Sequence, residues 1–517
     1  MQTLKVTTCY NLSCVCCVFR LASKRRGLIL NMALSAKACS LPNVKALRCL
    51  CYAFRLAAKR RGVVFDMALR AKAYSLLNVK ALLYIYHKNG TGEINLDFFN
   101  IAEPLCTLDR KAREQIAPML AEVEEVTRYN QLKVLSAFIA EGVSESHFAA
   151  STGYGYGDRG RETLEKVFAR VMGAEDSLIR HNFVSGTHAL TVGLFGLLRP
   201  GDRMLALTGR PYDTLIGVLG IDGPSDGSLA DFGVAYDEVA LGEDGRPDLD
   251  AIREALSEKR YKLAYIQRSR GYSLRPSLSV EEIGALCRAV KEVSPDTLVM
   301  VDNCYGEFVE KREPCEVGVD LIAGSLIKNP GGGIAPTGGY IAGRADLVEK
   351  CAYRLTAPGV GREVGATLGH SRELYMGLFH APHVTGEALK TALYAAALFE
   401  LLGYEVTPKS SERRADIIQS VILRSPEALI AFCQGMQKGA PVDAFVTPEP
   451  WDMPGYDSQV IMAAGAFTLG ASIELSADAP LREPYAAWMQ GGLNFDSGAA
   501  GVLLAAQSML EGGFLRF

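Results

Sequence analysis

No apolar run in this chain approaches the ~20 residues that a membrane-spanning helix needs. Charge of one sign is also lacking: 55 Lys and Arg face 58 Asp and Glu, for a formal net charge of −3. That balance excludes the basic footprint of a nucleic-acid binder and argues against docking on anionic membranes. The start also reads as a poor signal peptide, because only Lys5 precedes the Cys-rich stretch, and Arg20 and Lys24-Arg25-Arg26 break up the apolar residues after it. The expectation is a cytoplasmic enzyme. Nor does a metal pattern emerge from the 13 cysteines, seven of which (Cys9, Cys14, Cys16, Cys17, Cys39, Cys49 and Cys51) crowd the start of the chain. Cys14-x-Cys16-Cys17 has no histidine nearby and fits no zinc spacing, so free thiols in a reducing compartment are expected, with no metal. What remains is ordinary for a globular protein, at 49% hydrophobic and 22% charged residues. At 517 residues, the chain exceeds what one core supports, so at least two domains are expected.

The first segment contains a near-copy of itself. Residues 19–50 and 54–85 align at a constant offset of 35, with 21 of 32 positions identical. Two copies are too few for a solenoid, and the apolar residues show no sustained helical stripe. The identity includes surface-type residues such as Lys24-Arg25-Arg26 and Lys59-Arg60-Arg61, which selection on a packed core does not preserve. The reading is a recent duplication, either upstream DNA read as protein from a start placed too early or a genuine basic extension. Residues 1–85 are expected to be dispensable and poorly ordered, or at most loosely helical.

The texture changes after Asn89. Leu105–Ala140 has helical spacing, residues 151–160 form a Gly-rich loop, and Arg161–Met172 reads as an amphipathic helix. Strands are expected at Ser177–Arg180, Arg203–Thr208, Lys262–Ile266, Thr297–Val301, Leu321–Gly324 and Gly338–Ala342, with a helix at Val280–Val293. Strands alternating with helices argue for a mostly parallel sheet covered on both faces, with its ligand at the C-terminal strand ends. A long helix, Thr385–Leu402, precedes a smaller α/β segment with strands near 442–446, 459–462 and 470–475 and a final helix.

Four pieces carry the chemistry. Ser185-Gly186-Thr187 precedes an apolar helix, and a small turn at a helix N-terminus presents free N–H groups and a positive dipole end to an anion. Tyr212, in Gly209-Arg-Pro-Tyr-Asp, offers an aromatic face for a planar ring. Asp302 ends an apolar strand, where a carboxylate is costly unless it is paired; a protonated ring nitrogen is one such partner. Lys328 follows Asp302 by 26 residues and Ser325 by three, between an apolar strand and a Gly-rich loop, where a lysine can lose its proton and form an imine.

The order of these pieces is similar to that of the cystathionine and methionine lyase group of pyridoxal 5'-phosphate (PLP) enzymes. The stretches STGYGYGDRGRETLE, VSGTHAL, TGRPYDTL, IQRSRGY, VDNCYGEFVE, AGSLIKNPGGG, RLTAPGVG and SIELSADAPLREPY resemble one branch, the methionine gamma-lyase family or aluminium-resistance proteins, from about residue 95 to the end. The resemblance implies an aspartate-aminotransferase-like α/β fold (fold type I). Its parts would be a duplicated extension at 1–85, a helical arm at 86–150, a large PLP-binding domain at 151–384 and a small C-terminal α/β domain at 385–517.

By the same resemblance, Lys328 forms the Schiff base, Asp302 pairs with the pyridinium nitrogen and Tyr212 stacks on the ring. Ser185, Gly186, Thr187 and Ser325 hold the phosphate. Ile327 replaces the usual threonine, which removes one phosphate contact. Tyr156 and Arg161, with Tyr154 and Arg159 next, correspond to residues lent to a neighbouring subunit, which implies a homodimer or homotetramer with shared active sites. Arg482 and Arg268, with Arg270, are the candidates for the substrate carboxylate, which a guanidinium binds bidentately. The implied activity is a carbon–sulfur lyase acting on a small-molecule sulfur amino acid. An aminotransferase and a non-catalytic protein linked to metal tolerance are the alternatives.

Overall fold

Continuous apolar runs that are buried on both faces become the central strands of a parallel sheet. Leu263–Gln267, Leu298–Asp302 and Leu321–Ser325 are such runs, with every residue buried. The computed structural model, which describes residues 18–24, 27–33, 98–223, 226–453 and 458–517, places them side by side in a seven-stranded sheet. The strand order is Asp176–Arg180, Gly339–Gly343, Leu321–Ser325, Leu298–Asp302, Leu263–Gln267, Arg203–Ala206 and Ala235–Glu238. Gly339–Gly343 runs antiparallel to both its neighbours, and the remaining pairs are parallel.

Alternate residues of the strands feed two apolar cores, one on each face. One core packs beneath Arg159–Met172 and Val280–Val293, the other beneath Gly186–Leu197 and Ala345–Leu355. Local signals set the helix starts. Ser279 and Glu282 form a capping box at Val280, and Ser185 Oγ accepts from His188 N at the head of Gly186–Leu197.

Two long helices, Glu103–Ala140 and Ser371–Leu401, pack against each other, closely enough that a side chain at Gly386 would strike Thr127. They share a third core with a second sheet, all antiparallel, of order Glu405–Thr407, Gln419–Ile422, Ala486–Gln490, Ser476–Pro480 and Val460–Ala463. Position 384/385, the expected domain boundary, falls within the Ser371–Leu401 helix, and Leu96–Phe517 is one compact unit. A small fourth cluster (Ile418, Ile422, Ala486 and Trp488) packs against Tyr272 and Tyr305 and so ties the second sheet to the strand ends of the first.

Two expected strands do not form. At 442–446, Asp443 has a left-handed φ of 53° and its carbonyl accepts from Gln437 Nε2, which turns the chain. At 470–475, the Glu474 carboxylate accepts from Phe467 N and Thr468 N, which folds the segment into a loop, and the strand begins at Ser476. In the separate unit Met1–Asn95, Val18–Lys24 pairs antiparallel with Gly27–Ala33, so β-prone residues make extended structure where loose helix was expected. The second copy, 54–85, and residues 86–97 lie outside the described residues.

Candidate active site

The parallel strands deliver Asp302, Ser325 and Lys328 to one end of the sheet, as their position at C-terminal strand ends requires. The Gly186–Leu197 helix starts against them. A side chain at Gly186 would meet Ser325 Cβ at 3.2 Å and Cys304 Sγ at 3.6 Å, so glycine lets the helix end approach this closely without crowding Ser325. The amides of Gly186 and Thr187 lie in the first turn, where no intrahelical acceptor exists. Thr187 Oγ1 lies 2.9 Å from Thr214 Oγ1, which joins this turn to the Tyr212 segment. Tyr212 N donates to Gln267 Oε1 at 2.7 Å, and its ring meets that of Tyr272 edge-on at 5.7 Å. The structure therefore gathers Ser185, Gly186, Thr187, Tyr212, Asp302, Ser325 and Lys328 around one set of strand ends.

Lys328 is half-buried, with Nζ 3.9 Å from the centroid of the Tyr305 ring. Burial alone would lower its pKa; Cys304, Tyr305, Asp302 and Glu307 outweigh that, and the net direction is up. Asp302 is buried, its Oδ1 accepts from Cys304 N at 3.1 Å, and burial raises its pKa while Lys328 pulls it back. A cationic ring nitrogen would stabilise such a buried carboxylate. The glycine cradle, the open helix end and the buried acid beside a lysine fit PLP. Ile327, in place of a threonine, turns its side chain toward the 467–475 loop, where a side chain at Gly470 would meet Ile327 Cδ1 at 3.8 Å.

Several expected residues lie elsewhere. Arg268 is wholly buried; its guanidinium donates to Asn303 Oδ1 (2.8 Å), Glu310 Oε2 (2.9 Å) and the Leu278 carbonyl (3.3 Å), which makes it scaffold beneath the 302–308 loop rather than a substrate contact. Arg270 is likewise buried and bonded to Thr407 and Ser277. Arg482 sits exposed in the turn between Ser476–Pro480 and Ala486–Gln490, forming no ion pair among the described residues. Arg161 is buried and donates to the carbonyls of Gly155 and Gly365, both at 2.8 Å, which locks the Gly-rich loop in place. On that loop Tyr154 and Tyr156 are 72% and 67% exposed with rings 5.5 Å apart, and Arg159 is exposed too.

The sequence pattern did not point to Tyr305, Tyr272, Arg275 or Asp478. Tyr272 Oη donates to Asp478 Oδ2 at 2.9 Å, and Arg275, whose pKa burial pushes down to about 10, lies in the field of Asp302. Tyr305 was findable, because it stands three residues beyond Asp302 in a segment singled out for that acid.

Residues 105–510 match the family model for methionine gamma-lyase. The Bacillus subtilis protein YnbB is 50% identical over 397 residues, 77% of this chain and 94% of its own length. A carbon-sulfur lyase involved in aluminum resistance from Clostridium novyi is 51% identical, with a TM-score of 0.77 over 80% of this chain and 97% of that one. The fold extends to the pyridoxal-5'-phosphate dependent protein YhfS of Escherichia coli, with a TM-score of 0.51 at 18% identity, covering 75% of this chain and 97% of that one. The family match takes in both sheets of the Leu96–Phe517 unit and the whole Lys328 cluster, and the chain belongs to the methionine gamma-lyase family.

Proposed function

We propose that the protein is a PLP-dependent carbon–sulfur lyase that eliminates a thiol from a sulfur amino acid of the methionine or cystathionine kind. The observation that carries this reading is the convergence of Lys328, Asp302, Ser325 and the Gly186 cradle at one set of strand ends. Lys328 would hold the cofactor, Asp302 its ring nitrogen, Tyr212 its ring face, and Ser185, Gly186, Thr187 and Ser325 its phosphate. When bound, PLP supplies the electron sink that makes a Cα proton removable.

This chain's own residues do the rest. Lys328 Nζ takes the proton from Cα and returns one to the product, while the thiol leaves from Cβ or Cγ with the bonding electrons. Asp302 would hold the ring nitrogen in its protonated form and so strengthen that sink. Tyr305, against Nζ, restricts where the amine can move. The exposed Tyr154, Tyr156 and Arg159 would serve a neighbouring copy's site in a homodimer or homotetramer.

The test is turnover of methionine, cystathionine and cysteine by the purified protein with PLP, following keto acid, ammonia and thiol together. Release of all three supports the lyase. Keto acid without ammonia would replace it with an aminotransferase.

A further inference from the structure

One buried acid beside Lys328 has no place in that mechanism. Glu307 is wholly inaccessible, in the 302–308 loop between two residues of left-handed backbone, Tyr305 (φ 72°) and Phe308 (φ 63°). Non-glycine residues adopt that conformation only where the surroundings impose it. Glu307 is tied to the lysine segment twice. Its carbonyl accepts from Asn329 Nδ2 at 3.0 Å, which holds the residue after Lys328. Its Oε1 accepts from Tyr340 Oη at 2.6 Å, and the Tyr340 ring lies where any side chain on Gly324 would stand, next to Ser325.

The other oxygen, Oε2, is buried without a hydrogen-bond partner, and so is Asn329 Oδ1. Glu307 forms no ion pair among the described residues, and the Glu313 carboxylate opposes its charge. Arg268 approaches from below Gly306, but its guanidinium is engaged by Glu310, Asn303 and Glu313.

An ionised carboxylate with only neutral donors and one bare oxygen is costly in a dry interior. A proton on Oε2 removes the charge and adds the donor this pocket lacks. We propose that Glu307 is a positioning residue that carries its own proton at neutral pH, and that its ionisation in mildly alkaline solution raises the proton affinity of Lys328. Burial pushes its pKa up to about 8, with the Tyr340 hydroxyl, its backbone contacts and Lys328 opposing that rise and Glu313 adding to it. The effect on Lys328 rests on the PLP reading above; the proton on Glu307 does not.

Two measurements separate these parts. In the apoprotein, infrared difference spectra of wild type against E307Q should show the carbonyl stretch of a neutral carboxylic acid at pH 7, disappearing as pH rises past about 8. A carboxylate signal at pH 6 would overturn the proposal whether or not PLP binds. In the holoprotein, the pH titration of the visible band of the lysine–cofactor linkage should have a lower midpoint in E307Q, by about half a unit or more, because the negative charge that opposes deprotonation is gone. Y340F removes a donor that favours the carboxylate, so Glu307 stays neutral to higher pH and the variant should shift the midpoint in the same direction as E307Q. Unchanged midpoints in both folded variants would overturn the link to Lys328, whereas a wild type that forms no such band would instead overturn the PLP assignment.

Discussion

Two buried charge clusters lie on either side of the 302–308 loop, and they are built oppositely. Below it, Arg268 is saturated by Glu310, Asn303 and the Leu278 carbonyl, with Glu313 at 3.8 Å, and Glu313 also receives Phe308 N and Asn303 Nδ2. Above it, Lys328, Asp302 and Glu307 carry perturbed pKa values, and Glu307 Oε2 has no hydrogen-bond partner. The saturated cluster has nothing left to offer a ligand, so it fixes the backbone. The unsaturated one stores imbalance that a cofactor and a moving proton can use.

The sharpest way to break this contrast is Lys328→Ala. It should lower kcat by about a thousandfold or more, the scale of removing a proton-transfer group, while far-ultraviolet dichroism stays native. Retained activity with a retained visible band would move the site to another lysine.

Arg268→Met probes the other side. It strands Glu313 and Asn303 in the interior and should cost about 3 kcal/mol or more of stability in urea unfolding. If the variant unfolds like wild type and loses only substrate affinity, Arg268 is a ligand contact after all and the contrast collapses.

Asp302→Asn should lower kcat by about a hundredfold while PLP affinity changes far less, because the charge matters most as the transition state develops. A loss confined to affinity would reduce Asp302 to a binding group.

Glu307→Gln has a smaller effect with a defined sign. Its folded pKa of about 8 lies above the ordinary glutamate value of 4.5. The wild type therefore carries this group's full relative stability below about 4.5 and loses it as pH rises through 8. The thermal midpoint of E307Q should gain on wild type steadily across that window, and a constant difference would contradict the assignment.

Arg482→Ala, at an exposed turn, should leave KM unchanged and stability within about 0.5 kcal/mol. A chain beginning near Leu83 should match full-length kinetics; aggregation or a changed oligomeric state would make the duplicated segment a structural element.

How legible this was in the sequence depended on how local the signal is. Val280–Val293 is bounded as expected because its capping box and apolar period lie within the segment. The central strands were readable because burial on both faces leaves continuous apolar runs. The second sheet was read poorly, since Glu474 turns an apolar stretch into a loop by reaching back to Phe467 and Thr468. In the site, the glycine, serine, aspartate and lysine positions each need their residue type for a local reason, and they converge. The arginines do not have that property. Whether a guanidinium is scaffold or ligand depends on distant partners, such as Glu310 and Asn303 for Arg268, which no spacing reveals. Glu307 was overlooked because a glutamate in a Gly-containing turn reads as surface.

The central claim is that Lys328 is the residue that holds PLP. Borohydride reduction of the PLP-loaded protein, followed by proteolysis and mass spectrometry, should place the pyridoxyl group on Lys328 alone and find none in K328A; a tag on any other lysine, or none on the wild type, would contradict the account.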